Sequence, residues 1–421
     1  MKNYKMYTLD NGLRVFLFDF PFMKSTLFQL YTKNGRTFED EKENGISHFI
    51  EHVTMKSTKN YPTSIALKDE IKKIGGYRNA FTNPESVYYV IRLMNKYFEK
   101  GLEALYEQSQ NALINNSDIE KERHIISEEI GRSIDQPEDY MQRWLLPSLA
   151  FRDSSLGRHN LGTKENIQRF SQKELKERYG RFYTSKNMVL SVCTSLPRKD
   201  IIPLIEKYFK NIRIGDELEK KENVVEPQNN VIFEKRKISQ FHVGFAFETS
   251  GYDNPKNLDL FLLTYVLADI LHDIVRQKYG LTYTTNLNPR VFLNEGAITS
   301  DIATKKEKIA KVITGIYETL GMVNNNISDL YLEKARNSYM SNNLFMEEKP
   351  DWYSNNIVMQ ELWNQKIITP DEKNLLIEKI TKNDLYALSH QVLDKKRIKF
   401  AFLGDIDEKL EKDIKSLLAK C

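Results

Sequence analysis

The feature that most restricts the fold is an order of elements that occurs twice, once on each side of a charged stretch. That stretch, Arg213–Asn230 (RIGDELEKKENVVEPQNN), has one proline and no strand or helix period, and reads as a linker. Before it, Gly12–Phe18 and Thr26–Thr32 alternate as a strand pair after the turn signal Asp10-Asn11-Gly12. A charged turn, Phe38–Gly45, precedes a helix from about Ile46. A second helix (Ser64–Ile74) stops at Gly75-Gly76, and a strand (Ser86–Arg92) leads to a long helix from Phe98. After the linker, Gln240–Phe247 alternates as a strand and Glu248–Asn257 is a charged turn. Leu258–Tyr279 is an apolar helix ended by Gly280; strand-like segments and the amphipathic helix Lys305–Leu320 follow. The pattern predicts two similar α+β domains, residues 1–212 and 231–421, joined by 213–230.

Composition removes several function classes. The 22 Phe and 22 Tyr spread along 421 residues exclude disorder as the main state. A net charge of +4, from 62 basic and 58 acidic residues, gives no electrostatic case for nucleic acid or for a polybasic membrane contact. Two cysteines cannot build a disulfide framework. Cys193 follows the apolar run Met188–Val192 as a buried strand residue, and Cys421 ends the sequence. Met1–Asp10 has no signal-peptide core, and the apolar stretch Leu260–Ala268 is too short to span a bilayer. The expectation is a soluble cytoplasmic protein with no nucleic-acid or membrane partner.

The local signal with most chemical content is His48-Phe49-Ile50-Glu51-His52. Four residues apart on a helix, two imidazoles lie one turn above each other and can reach one metal ion. Imidazole suits Zn²⁺, and a carboxylate between the two can take a proton from water. The pattern H-x-x-E-H is the inverted form of the zincin motif. A third ligand must come from elsewhere. The predicted helix Asp118–Ile130 offers Glu122, Glu128 and Glu129. Glu122 and Glu129 share a face two turns apart, whereas Glu128 points about 100° away from Glu129. Spacing favours Glu129 over Glu128 only mildly, and a solvated acidic face accounts for all three equally simply.

Gly45–Pro62 (GISHFIEHVTMKSTKNYP) resembles the zinc-site helix of the pitrilysin/insulysin family of metallopeptidases, which includes the mitochondrial processing peptidase and smaller dimeric bacterial members. The resemblance continues in order through Gly75-Gly76-x-x-Asn79-Ala80-x-Thr82, Glu122-Arg123 with Glu128-Glu129, Asp135-x-Pro137, Leu156-Gly157-Arg158, Leu161-Gly162-Thr163 and Asn187-Met188-Val189. It implies two domains, each a mostly antiparallel sheet with helices packed on it, forming half of a clamshell chamber. It implies that His48, His52 and Glu129 bind one zinc per chain, that Glu51 activates water and that Glu122 supports them. Asn79, Ala80, Phe81 and Thr82 would form an edge strand holding an extended substrate. Arg276 and Tyr283, in Val275–Asn286, would bind the substrate backbone and steady the oxyanion.

Plain alternatives stand beside these roles: a helix-to-strand turn at Asn79–Thr82, a surface Arg276 and a packing Tyr283. His124, His159, His242, His272 and His390 lack a second ligand at metal spacing and read as structural or surface residues. A chain of this length resembles half of its longer single-chain relatives, yet carries both the zinc motif and the Arg/Tyr element. The expected assembly is a homodimer in which each zinc site is completed by the partner's Arg276 and Tyr283; a heterodimer with an inactive sister subunit is the alternative. The expected function is zinc-dependent hydrolysis of short unstructured peptides inside a closed chamber. The alternative is a peptide-binding or processing subunit that needs a sister subunit, as in bacteriocin or leader-peptide maturation.

Overall fold

Short runs rich in aromatic and aliphatic residues, buried along their length in the central strands, set the strands, and the strands pair twice in one pattern. The structure is a computed structural model that describes residues 4–152, 154–218, 230–282, 285–325, 327–363 and 365–420, so residues 219–229 of the predicted linker lie outside the described residues. The first sheet contains β1 (Tyr4–Thr8), β2 (Arg14–Asp19), β3 (Ser25–Thr32), β4 (Tyr77–Thr82), β5 (Val87–Met94) and β6 (Met188–Thr194), ordered β1-β2-β6-β3-β5-β4. The second contains β7 (Val231–Lys235), β8 (Phe241–Ser250), β9 (Asn286–Val291), β10 (Glu295–Thr304) and β11 (Lys399–Gly404), ordered β7-β11-β8-β10-β9. In each sheet one pair is parallel, β2 with β6 and β7 with β11, and the rest are antiparallel. Without β1 the two sheets have one topology. The α+β repeat expected from element order is therefore present.

Helices cover both sheets. In the first half they include α1 (Ile46–Thr54), α2 (Ala66–Lys73), α3 (Phe98–Gln110) and α4 (Asn116–Asp135). The apolar helix expected at Leu258–Tyr279 is α-helical over Asn257–Leu271 and continues as a π-helical stretch, His272–Lys278. The helix expected at Lys305–Leu320 starts after a turn and spans Ile309–Asn325. Among the described residues no helix is long and apolar enough to cross a membrane.

The chain forms two compact units, and each borrows a segment from the other half of the sequence. The first comprises Met1–Gly131, His159–Glu222 and Met346–Thr369; the second comprises Arg132–Arg158, Asn223–Phe345 and Pro370–Cys421. In the first unit, helix Pro350–Leu362 packs Tyr353, Ile357, Val358 and Leu362 against Phe16, Phe18, Tyr31 and Val189 on one sheet face. In the second, Met141, Leu145, Leu146 and Leu149 pack against Ala246, Ala297, Ala401 and Leu403. Small residues on β8, β10 and β11 allow that approach: a Cβ at Gly244 would lie 2.7 Å from the Met141 sulfur. Each large apolar side chain buried this way contributes about 1.5–3 kcal/mol.

Candidate metal centre

The site begins with how α1 is started. Gly45, just before it, has φ 99°, a left-handed conformation open to glycine. Gly45 and Gly162 also touch back to back, so a Cβ on Gly45 would lie 2.8 Å from the Gly162 Cα. The helix N-terminus is capped from a distance. Buried Glu39 accepts hydrogen bonds from the backbone N–H of Gly45 (2.9 Å) and of Ser47 (2.9 Å). Arg178, buried alongside, donates to the Phe38 carbonyl, Asn34 Oδ1 and Ser47 Oγ. Phe49, Ile50 and Val53 point into the core at 0% exposure, which turns His48, Glu51 and His52 to the opposite face.

There, His48 Nε2 and His52 Nε2 are 3.2 Å apart. Glu129 Oε2 lies 3.8 Å from the first and 3.6 Å from the second. A point equidistant from these three atoms is ~2.1 Å from each, within the ~2.0–2.2 Å range of zinc bonds to nitrogen and carboxylate oxygen. Among the described residues these three form the group of His, Cys, Asp and Glu side chains that could hold a metal ion. Glu128, on the same helix, is exposed and outside the group.

Around the triangle, His52 Nδ1 meets Glu122 Oε2 at 2.8 Å, and Lys56 Nζ meets Glu122 Oε1 at 2.8 Å. A proton held on Nδ1 by the carboxylate leaves the Nε2 lone pair facing the triangle. His48 lies well below the ordinary histidine range, first because of burial and then because of His52 and His159, which favours the neutral form that ligates metal. Burial also opposes charge on His52, but the hydrogen bond to Glu122 and the charges of Glu51 and Glu129 outweigh it and raise its pKa. Burial likewise raises Glu51, whose Oε2 accepts a 2.8 Å hydrogen bond from the Thr82 hydroxyl. The residues fit a zinc ion: two imidazole nitrogens and one carboxylate oxygen converge, with a carboxylate behind one imidazole.

Thr82 ends β4, the outermost strand of its sheet, which pairs with β5 alone among the described residues. Ala80 and Thr82 share the face toward α1. Phe81 lies on the other face, stacked on Tyr88 (5.0 Å), which stacks on Tyr31 (4.9 Å). Asn160 Nδ2 donates to the Thr82 carbonyl at 3.1 Å and fixes the end of the strand. Asn79 Nδ2 bonds the Tyr77 hydroxyl at 3.1 Å.

Arg276 is exposed on the π-helical stretch of the second unit and takes no part in the triangle; Tyr283 lies outside the described residues. Sequence reasoning missed Glu39, Lys56 and Asn160. Lys56 carries a readable signal, since it follows His52 by four residues. Glu39 and Asn160 act across loops and carry none.

An H-x-x-E-H helix on a repeated α+β scaffold, with a carboxylate from a second helix, places the chain in the inverted-zincin class. The chain belongs to the insulinase family, peptidase family M16. That family's profile matches residues 14–164, and the profile described as the peptidase M16 inactive domain matches residues 169–339. The chain is 26% identical over 401 residues to an uncharacterized zinc protease of Rickettsia felis, covering 93% of this chain and 95% of that one. It is 29% identical over 256 residues to cytochrome b-c1 complex subunit 1, mitochondrial, of Bos taurus, covering 60% of this chain and 52% of that one. A protease from Helicobacter pylori has the same fold, with a TM-score of 0.87 at 18% identity, over 96% of this chain and 100% of that one.

Proposed function

We propose that the chain is a zinc-dependent endopeptidase acting on short unstructured peptides. The observation that carries this reading is the convergence of His48, His52 and Glu129, with Glu51 on the same helix and an open sheet edge beside it. His48, His52 and Glu129 would hold one zinc, and zinc supplies Lewis acidity to a peptide carbonyl and lowers the pKa of water. Glu51 takes the water proton at a carboxylate oxygen and passes it to the leaving amine. Its carboxylate is held in place by the hydrogen bond that Oε2 accepts from the Thr82 hydroxyl. Glu122 fixes the ring of His52. Asn79, Ala80, Phe81 and Thr82 hold the peptide by strand addition, through main-chain hydrogen bonds that are indifferent to most side chains. Arg276 and Tyr283, supplied by the second copy in a homodimer, steady the developing oxyanion.

The test is Glu51→Gln. The variant should keep its zinc and lose hydrolysis of a quenched peptide by ~10²–10⁴-fold; turnover equal to the parent's refutes the role. Mixing Glu51→Gln with Arg276→Ala chains under subunit exchange should restore part of the activity. Exchange without recovery refutes completion in trans.

A second reading, a peptide-binding or processing subunit that works with a sister chain, draws on the similarity to a subunit of the cytochrome b-c1 complex. Zinc content together with peptide turnover by the purified chain separates the two.

A further inference from the structure

One side chain joins the outer strand of the first sheet to the metal helix, and neither the zinc triangle nor the strand pairing requires it. On β4, Arg78, Ala80 and Thr82 alternate onto the face toward α1. Arg78 reaches the far end of that helix, where its Nη2 donates to the Met55 carbonyl at 2.7 Å. Met55 directly follows α1, one turn beyond Glu51. The bond caps a carbonyl that the helix C-terminus leaves unmet.

That bond does not neutralise the guanidinium. A helix C-terminus supplies about half an elementary negative charge, and a guanidinium carries a whole positive one. Among the described residues no carboxylate makes up the difference. Burial pulls the pKa of Arg78 down to about 10, and the Tyr89 phenol alone opposes the pull. Lys56, next to Met55, is by contrast paired with Glu122 at 2.8 Å. The donors of Arg78 are also unequal. Nε is enclosed without a partner. Nη1 has no hydrogen bond within the protein and is not enclosed, and the residue as a whole is partly exposed. A charged donor is therefore available on the face of the open strand that leads to Glu51.

We propose that Arg78 selects peptides carrying a carboxylate about two to four residues beyond the cleaved bond, on its C-terminal side. The proposal rests on the peptidase reading of the metal centre. Thr82, whose hydroxyl meets Glu51, is four residues from Arg78, ~13 Å along the strand. A peptide added antiparallel to β4 passes from Glu51 toward Arg78 as it runs to its C-terminus. Its side chains alternate between the two faces, and those on the α1 side meet Nη1. A carboxylate there supplies the missing counter-charge through a charge-assisted hydrogen bond; an amide of the same shape does not.

The test uses the zinc-loaded Glu51→Gln chain, in which cutting is suppressed, and fluorescence anisotropy of short labelled peptides. The first peptide is C-terminally amidated with a single Glu, and its twin has Gln at that place. A third has the Gln and a free C-terminal carboxylate, which tells a side chain from a chain end. The Glu peptide should bind ~10- to 100-fold more tightly than its twin, the contribution of a hydrogen bond to a charged group. Preference for the third peptide instead also supports the proposal and places the carboxylate at the chain end. Adding Arg78→Met should erase the preference. If Arg78 only caps α1, the variant weakens all three peptides together and leaves their ratios unchanged, which overturns the proposal. Equal binding of the three peptides with Arg78 intact overturns it as well, and that comparison does not depend on the variant folding. In the parent chain, the cut bond found by mass spectrometry should move with the Glu as it is shifted along the peptide; cuts that ignore it count against Arg78. A chain that prefers the acidic peptide yet cuts none of them refutes the peptidase reading and leaves the recognition by Arg78 standing.

Discussion

Replacing Glu39 by alanine should cripple the first unit although the residue touches neither zinc ligand. Its carboxylate accepts from the N–H groups of Gly45 and Ser47 and from Asn44 Nδ2 at 3.2 Å, all in a buried setting. Alanine leaves two backbone donors orphaned at the start of α1. Each costs ~1–3 kcal/mol, so the total loss is about 3–5 kcal/mol. That is a large part of the ~5–15 kcal/mol that holds a domain folded. Glutamine keeps an acceptor oxygen and should cost about 1–2 kcal/mol. Trp352 and Trp363 both belong to the first unit, and Trp363 stacks on Phe38, beside Glu39, at 6.0 Å and 15°. Tryptophan fluorescence in a Trp144→Phe background therefore reports this unit. With a urea m-value of ~2–3 kcal/mol/M, Glu39→Ala should move the midpoint down by roughly 1–2 M. A shift under ~0.3 M refutes the capping argument. Equal shifts for Ala and Gln would show that charge, not the acceptor, is what the helix start needs.

Three further outcomes follow from the same geometry. Glu122→Gln should weaken zinc binding ~10- to 100-fold in a chelator competition, whereas Glu128→Gln, on the exposed side of α4, should leave it unchanged. Burial pushes the Cys193 thiol up to about 12, so it stays protonated as pH rises until that value is approached. In a Cys421→Ser chain at pH 8, a disulfide reagent should label no thiol in the native state and one after denaturation; rapid native labelling refutes the burial. Separate expression of residues 1–218 and 231–421 should give two insoluble fragments, each lacking the segment that covers one sheet face. Co-expression should recover soluble material, and a soluble, cooperatively folded 1–218 fragment would refute the need for Pro350–Leu362.

Where the sequence was legible, one local signal had one use. TLFQLYT and QFHVGFAF, rich in aromatic and β-branched residues, are β3 and β8, and both are buried on both faces over nearly their whole length. The i, i+4 imidazoles converge because α1 buries Phe49, Ile50 and Val53 on its far side. The spacing of Glu128 and Glu129 separated them only weakly; the packing of α4 puts Glu129 inside and Glu128 outside. The exchanged segments were unreadable for a physical reason. An apolar stripe on Pro350–Leu362 says that the helix must be buried, not which sheet it will bury. Glu39 was unreadable because a carboxylate six residues before its donor matches no local capping pattern.

The borrowed helix also sets a clock. The last strand of the first sheet, β6, is synthesised at residue 194, but the helix that covers Phe16, Phe18, Tyr31 and Val189 is complete only at residue 362. At ~5–20 residues per second, that aromatic face waits on the order of 10–30 s on the ribosome before its cover exists. During that interval the nascent chain presents a sticky, nearly finished sheet. Expression of this protein should accordingly depend on chaperone capacity and on elongation speed between β6 and Leu362 more than on the stability of the finished molecule.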